Sequence, residues 1–219
     1  MRFFEGEFYH IYNRGVDGRN IFQDKADYER FLKSLAAFNV DLPIEIRFHK
    51  NPDSEIRSPS DNLTSIIAYA LMQNHVHLLF RCIDSNKLSQ YLQKLFIGYT
   101  MYFNKKYERK GVLFQGRSKS KHVNSDRYLN HLVDYIHLNP LDYSFPQWRA
   151  NAILNPSKAK RELLKYPWSS IHGFLSKSDP VLDQDLIKEL FPTPHSVLNS
   201  ALEWSAETLS SNPDLFLEP

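Results

Sequence analysis

The sequence predicts an α+β domain built on an antiparallel hairpin and followed by a helical C-terminal extension. Three observations predict it. Two largely apolar runs, 64–72 and 75–82, are separated only by Gln73-Asn74, which suits a tight turn. Apolar residues recur at helical spacing in 25–38, 85–103 and 126–139. An aromatic-rich stretch, 7–15, ends on Asn13-Arg14-Gly15, a turn signal, and reads as a first strand. A chain of 219 residues suits one domain with additions, or two small ones, and can bury a substantial core.

Each element has its own signal. In the first strand His10 and Tyr12 share one face, and Tyr9 and Ile11 the other. Asp24 is placed to cap the first helix, whose stripe is Tyr28, Phe31, Leu32 and Leu35. Residues 39–63 hold Pro43, Pro52 and Pro59 and read as an excursion, with a short strand expected at 43–48. Ser85 opens the longest helix, with Leu88, Leu92, Leu95, Tyr99 and Tyr102 on its core side. Residues 104–122 are basic and broken by Gly111 and Gly116, with a short strand expected at 112–114. Ser125 or Asn124 caps the next helix and Pro140 closes it; Leu129, Leu132, Val133 and Ile136 form its stripe. Further short helices are expected near 184–190 and 197–209.

Composition narrows the function. The net charge of +2 conceals an asymmetry: residues 179–219 hold eight acids and one base, or −7, which leaves +9 on the first 178 residues. A basic body points to an anionic partner, with nucleic acid foremost. The single Cys82 excludes an intramolecular disulfide and a multi-cysteine zinc site. No apolar run reaches membrane-spanning length, and Met1-Arg2-Phe3-Phe4-Glu5 does not read as a signal peptide, so a cytoplasmic protein is expected.

The residues that carry chemistry begin at Gln73-Asn74-His75-Val76-His77. Strand alternation puts His75 and His77 on one face, where two imidazoles can hold one divalent ion or simply decorate a sheet. Tyr135 and Asn139 are one turn apart on a helix. Together with the basic segment they suit one reaction. A metal on His75 and His77, completed by the Asn139 amide oxygen, polarises a phosphodiester, and the Tyr135 hydroxyl attacks phosphorus. Arg14, Lys105, Lys106, Arg117, Lys119 and Lys121 are the candidate DNA contacts.

Five stretches in order make the chain resemble the single-tyrosine HUH (IS200-like) transposases, and most nearly their REP-associated branch. They are Tyr9-His10-Ile11-Tyr12-Asn13-Arg14-Gly15, Leu71-Met72-Gln73-Asn74-His75-Val76-His77-Leu78-Leu79, Gly116-Arg117-Ser118-Lys119-Ser120, Tyr135-Ile136-His137-Leu138-Asn139-Pro140 and Tyr166-Pro167-Trp168-Ser169-Ser170. The resemblance implies a ferredoxin-like (RRM-like) antiparallel sheet with helices on one face and the active site on the other. It implies Mg²⁺ or Mn²⁺ on His75, His77 and Asn139, Tyr135 as nucleophile, and single-stranded DNA, often near hairpins, as substrate. Its relatives include monomers and dimers, so a homodimer is one expectation. The excursion at 39–63 and the acidic tail lie outside the pattern. On this reading residues 1–150 are the catalytic domain and 151–219 an extension.

Two other readings fit the same residues. A non-catalytic module could bind single strands by stacking bases on His10, Tyr12, His75 and His77 of an open sheet. A hydrolase could use His75, His77 and a carboxylate, with no dependence on Tyr135.

Overall fold

The computed structural model describes residues 2–40, 62–149, 153–176 and 178–193; the strand expected at 43–48 and the helix expected at 197–209 lie outside them. Four strands form one antiparallel sheet in the order β2-β3-β1-β4: β1 Phe8–Arg14, β2 Thr64–Met72, β3 His75–Cys82 and β4 Lys119–Val123. With helices α1 Lys25–Ala37 and α2 Ser85–Lys106 between them, the chain runs β1-α1-β2-β3-α2-β4. That connectivity and strand order are ferredoxin-like, as the resemblance implied.

The sheet alternates strictly where it matters. Val76, Leu78 and Phe80 of β3, with Tyr9 and Ile11 of β1, point to one face and are buried. There α1 and α2 cover them, with Phe80 against Tyr91 and Phe31 against Tyr99 in edge-to-face contacts. The two helices are also tied at one end. The fully buried Asp27 carboxylate accepts from Tyr102 Oη, Tyr107 Oη and Lys106 Nζ, each on or just after the last turns of α2. Asp27 also completes the capping box begun by Asp24.

The stems of the 39–63 excursion are clasped where they are described. Asn39 donates to Thr64 O and accepts from Thr64 N, so β2 starts in register whatever the intervening length.

The opposite face is also covered. Helix α3, Asp126–Leu138, packs across β2 and β3, so helices flank both sides of the sheet and the histidine face is not open. Ser125 caps it by accepting from Tyr128 N. Leu132, Val133, Tyr135, Ile136, His137 and Leu138 are all buried, because α3 lies between the sheet and the C-terminal part of the chain. Opposite His77 on β2 stands Ala70, a small side chain beneath the helix.

After a 3-10 turn at Asn139–Tyr143 come α4 Pro156–Lys165, α5 Ile171–Ser176 and α6 Gln184–Leu190. The stretch before α5 runs along the outer side of β2: Leu71 N donates to Trp168 O, and Ser170 N donates to Tyr69 O. Ser170 Oγ also lies 2.7 Å from His137 Nε2 and accepts from Tyr69 N. One buried hydroxyl therefore joins α3, β2 and the C-terminal extension. Ser170→Ala should lower the unfolding free energy by about 1–3 kcal/mol, since the imidazole and the amide lose a buried partner; urea titration against the parent chain measures it.

The strand expected at 112–114 is not formed. Phe114 makes only an isolated bridge to Gly15, and the fourth strand lies further on, at β4. Lys119, Ser120, Lys121 and His122 give no apolar alternation, and Val123 alone is buried, so the pattern of a half-buried strand is missing from the sequence.

Candidate active site

The register of the sheet assembles the site. Across the β1–β3 ladder Tyr12 stands opposite His77 and Arg14 opposite His75; across β1–β4 His10 faces Lys121 and Tyr12 faces Lys119. Directly opposed residues share a face. His10, Tyr12, Arg14, His75, His77, Lys119 and Lys121 therefore share the face that α3 covers. The turn that closes this end needs Gly15. A Cβ there would sit 2.1 Å from Arg19 O, so the Asn13-Arg14-Gly15 signal reflects a close backbone approach.

The two histidines are oriented by their neighbours. His75 Nδ1 lies 2.7 Å from Asn74 Oδ1. A carboxamide oxygen only accepts, so Nδ1 carries the proton and Nε2 keeps its lone pair. His77 Nδ1 lies 2.9 Å from His10 Nε2, and the His77 Nε2 atom is buried without a hydrogen-bond partner. Burial dominates the electrostatics. It pushes His75 down to about 4 and His77 well below its ordinary value, with the Arg14 and Arg149 charges adding to the shift of His75. His10 is pushed down to about 3 by burial and then by Lys121. All three are neutral imidazoles at pH 7, the form that binds metal.

Helix α3 delivers the rest. The Tyr135 ring is fully buried and meets His77 edge to face, 5.6 Å between centroids. Asn139, one turn on, donates from Nδ2 to Tyr135 O and accepts at Oδ1 from Arg149 Nη2 at 3.0 Å. Its side chain also lies within hydrogen-bonding reach of His75. Arg149 further pairs with Asp142, which accepts from Trp148 Nε1 at 2.7 Å. A cavity of about 190 Å³ opens among these groups, lined by Arg14, Asn74, His75 and His77 from the sheet and by Tyr135, Asp142 and Arg149 from the other side. A wider hollow of about 590 Å³ lies beyond Gln73 and holds neither the histidines nor Tyr135.

These residues fit a divalent ion. The orphaned His77 Nε2 is a donor that the fold leaves for a ligand, His75 Nε2 is not used by the Asn74 contact, and the Asn139 side chain lies within hydrogen-bonding reach of His75. Among the described residues no group of three or more His, Cys, Asp and Glu side chains is placed to hold a metal ion.

The structure gathers Arg14, His75, His77, Tyr135 and Asn139 from the sequence reading. Lys119 and Lys121 flank them on β4, their ammonium groups 5.9 Å and 5.2 Å from the Tyr12 and Tyr128 ring centroids. Arg117 is exposed just before β4. Lys105 and Lys106 sit apart at the end of α2, and Lys106 is bound to Asp24 and Asp27. The sequence did not point to Asp142, Trp148 or Arg149. His10, on the same strand face as Tyr12, is the hydrogen-bond partner of His77. The open-sheet binding mode is not available: His10, Tyr12 and His77 are at most 6% exposed.

The buried neutral imidazoles set an acid limit. His10, His75, His77 and His137 all have folded pKa values below 6.5, so the unfolded chain takes their protons first. The stability they support is present above pH 6.5 and is lost as pH falls from there towards their folded values, at up to about 1.4 kcal/mol per pH unit each. Asp134, pushed up to about 8 by burial, works the other way, one group against four. Metal-free protein should lose stability steeply between pH 6.5 and 5. His137→Asn should reduce that slope by about one proton's worth in urea unfolding at several pH values.

The family model described as "Transposase IS200 like" matches residues 58–139, a span that includes His75, His77, Tyr135 and Asn139. A solved structure of a REP-associated tyrosine transposase bound to a REP hairpin is similar at TM-score 0.52 and 14% identity, over 80% of this chain and 82% of that one. At that identity the likeness is one of fold. No curated protein matches the sequence. The resemblance to IS200-like transposases is thus borne out, by sequence over 58–139 and by fold over most of the chain. No helix among the described residues is long and apolar enough to cross a membrane.

Proposed function

We propose that this chain, whose residues 58–139 carry the IS200-like transposase pattern, cuts and rejoins single-stranded DNA through a covalent 5′-phosphotyrosine at Tyr135. The observation that carries the reading is the docking of α3, which sets Tyr135 against His77 at the wall of a cavity that also holds His75 and Arg14, with Asn139 one turn beyond Tyr135. The DNA strand enters that cavity with its scissile phosphate. The Tyr135 oxygen–phosphorus bond forms as the phosphorus–O3′ bond breaks; the phenol proton leaves, and the freed 3′-oxygen takes up a proton as a hydroxyl. Rejoining is the reverse, with a 3′-hydroxyl attacking the phosphotyrosine, so no nucleotide cofactor is required.

Mg²⁺ or Mn²⁺ held by His75 Nε2, His77 Nε2 and Asn139 Oδ1 would polarise the phosphate and stabilise charge that develops on its oxygens. The chain's own residues prepare for it. Asn74 fixes the His75 tautomer, His10 holds the His77 ring through Nδ1, and the Asn139 amide is held by Tyr135 O and Arg149. Lys119 and Lys121 on β4, with Arg117 before it, give a cationic border for the DNA backbone. Hairpin-bearing strands are the first substrates to try, because the similar solved structure holds a REP hairpin.

The hydrolase reading keeps one supporting observation, the Asp142 carboxylate beside the histidines. One assay separates the two. Purified protein is mixed with Mn²⁺ and a labelled hairpin-bearing single strand, then denatured and run on a gel. A covalent protein–DNA band is the expected result. Binding without any adduct, or turnover to a free 5′-phosphate, would refute the tyrosine mechanism.

A further inference from the structure

We propose that Arg149 is a catalytic residue of this site, donating to a non-bridging oxygen of the scissile phosphate and stabilising the negative charge that builds there. The inference rests on the tyrosine reading above and adds a residue to it that lies outside both the matched span and the five sequence stretches.

Four contacts fix the guanidinium. One terminal nitrogen donates to Asn139 Oδ1 and the other pairs with Asp142 Oδ1. Its plane lies over the Trp148 indole, 4.5 Å from the centroid, and near the Tyr135 ring at 5.6 Å. It lines the same cavity as Tyr135 and the two histidines, across from Arg14. A cation held on several sides needs little reorganisation when charge develops, which is the condition under which such a group lowers a barrier most. Asp142 takes part of this charge, yet Arg14 lines the same cavity, so the lining sets two guanidinium groups against one carboxylate, which suits a phosphodiester.

The placement also joins cation and nucleophile. Arg149 reaches Asn139, and Asn139 reaches the carbonyl of Tyr135, so one short chain of hydrogen bonds runs from the guanidinium to the nucleophile's own backbone. The step is unchanged in balance. Tyr135 Oη–P forms, P–O3′ breaks, and Arg149 keeps its protons throughout while one N–H bond shortens on the phosphoryl oxygen.

A neutral phosphate analogue tests it. Adduct formation is timed for the parent chain and Arg149→Ala on a strand with a natural scissile phosphodiester and on one carrying a methylphosphonate there. A side chain that touches the phosphoryl charge should cost about a hundredfold on the natural strand when removed. On the methylphosphonate, which lacks that charge, the same substitution should cost only a few-fold. Equal losses on both strands would overturn the proposal and make Arg149 a positioning residue that acts through Asn139. Arg149→Lys, which keeps the charge and the stem but not the fork, carries the same comparison if the alanine variant unfolds. A parent chain that forms no adduct on the natural strand would sink the tyrosine reading itself, a different result from either.

Discussion

Tyr135→Phe should leave single-stranded DNA binding within about twofold and reduce covalent adduct formation by at least about a thousandfold. The prediction is sharp because the structure separates the hydroxyl from the ring. The ring is buried against His77 and Trp148, and phenylalanine keeps both contacts. The substitution removes one oxygen and leaves both ring contacts in place, so binding and folding should change little. A gel-shift titration and an adduct gel on the same preparation read both numbers. Full cleavage by the variant would point elsewhere. Tyr128, two turns earlier on α3 and beneath Lys121, would be the next nucleophile to test. Cleavage to a free 5′-phosphate would favour the Asp142 hydrolase reading.

His77→Ala should abolish Mn²⁺ binding as measured by calorimetry or by the electron paramagnetic resonance of free Mn²⁺, and adduct formation should go with it. The site has only two imidazoles, so the loss of one leaves a single nitrogen and an amide oxygen, too few for a stable complex. His10 gives the graded control. It touches His77 Nδ1 without lining the cavity itself, and its replacement by phenylalanine should weaken Mn²⁺ affinity by roughly 10–100-fold rather than erase it. If His77→Ala binds Mn²⁺ as the parent chain does, the ion sits elsewhere and the assignment of His75, His77 and Asn139 is wrong.

Much of the site was legible because it is built from regular periods. Strand alternation alone puts His75 and His77 on one face, and the helical repeat alone puts Asn139 one turn beyond Tyr135. The docking of one on the other follows from the apolar stripe of α3, which has to be buried somewhere. What escaped sits where periodicity stops. Arg149 returns to Asn139 after a 3-10 turn and an irregular stretch, and no repeat predicts that return. The β4 strand escaped for a related reason: its residues are chosen for charge on the site face and for solvent elsewhere. Lys106 looked like part of the same basic segment, yet its partner, Asp27, is a buried acid 79 residues away that no local pattern reveals.

The strip of backbone that Trp168 and Ser170 lay along β2 bears on how copies of this chain could assemble. A bare strand border is a template on which a second polypeptide can extend the sheet, in ordered dimers or in aggregates. At β2 that template is already used by the chain's own carbonyl and amide groups. At the other border, β4 is short and carries Lys119 and Lys121, whose charges repel an identical neighbour. Growth by continuous pairing from subunit to subunit is therefore blocked at both ends. Among the described residues, that leaves helix surfaces, or DNA shared between two copies, as the places where two copies could meet, and an acidic strand is the kind the β4 border suits best.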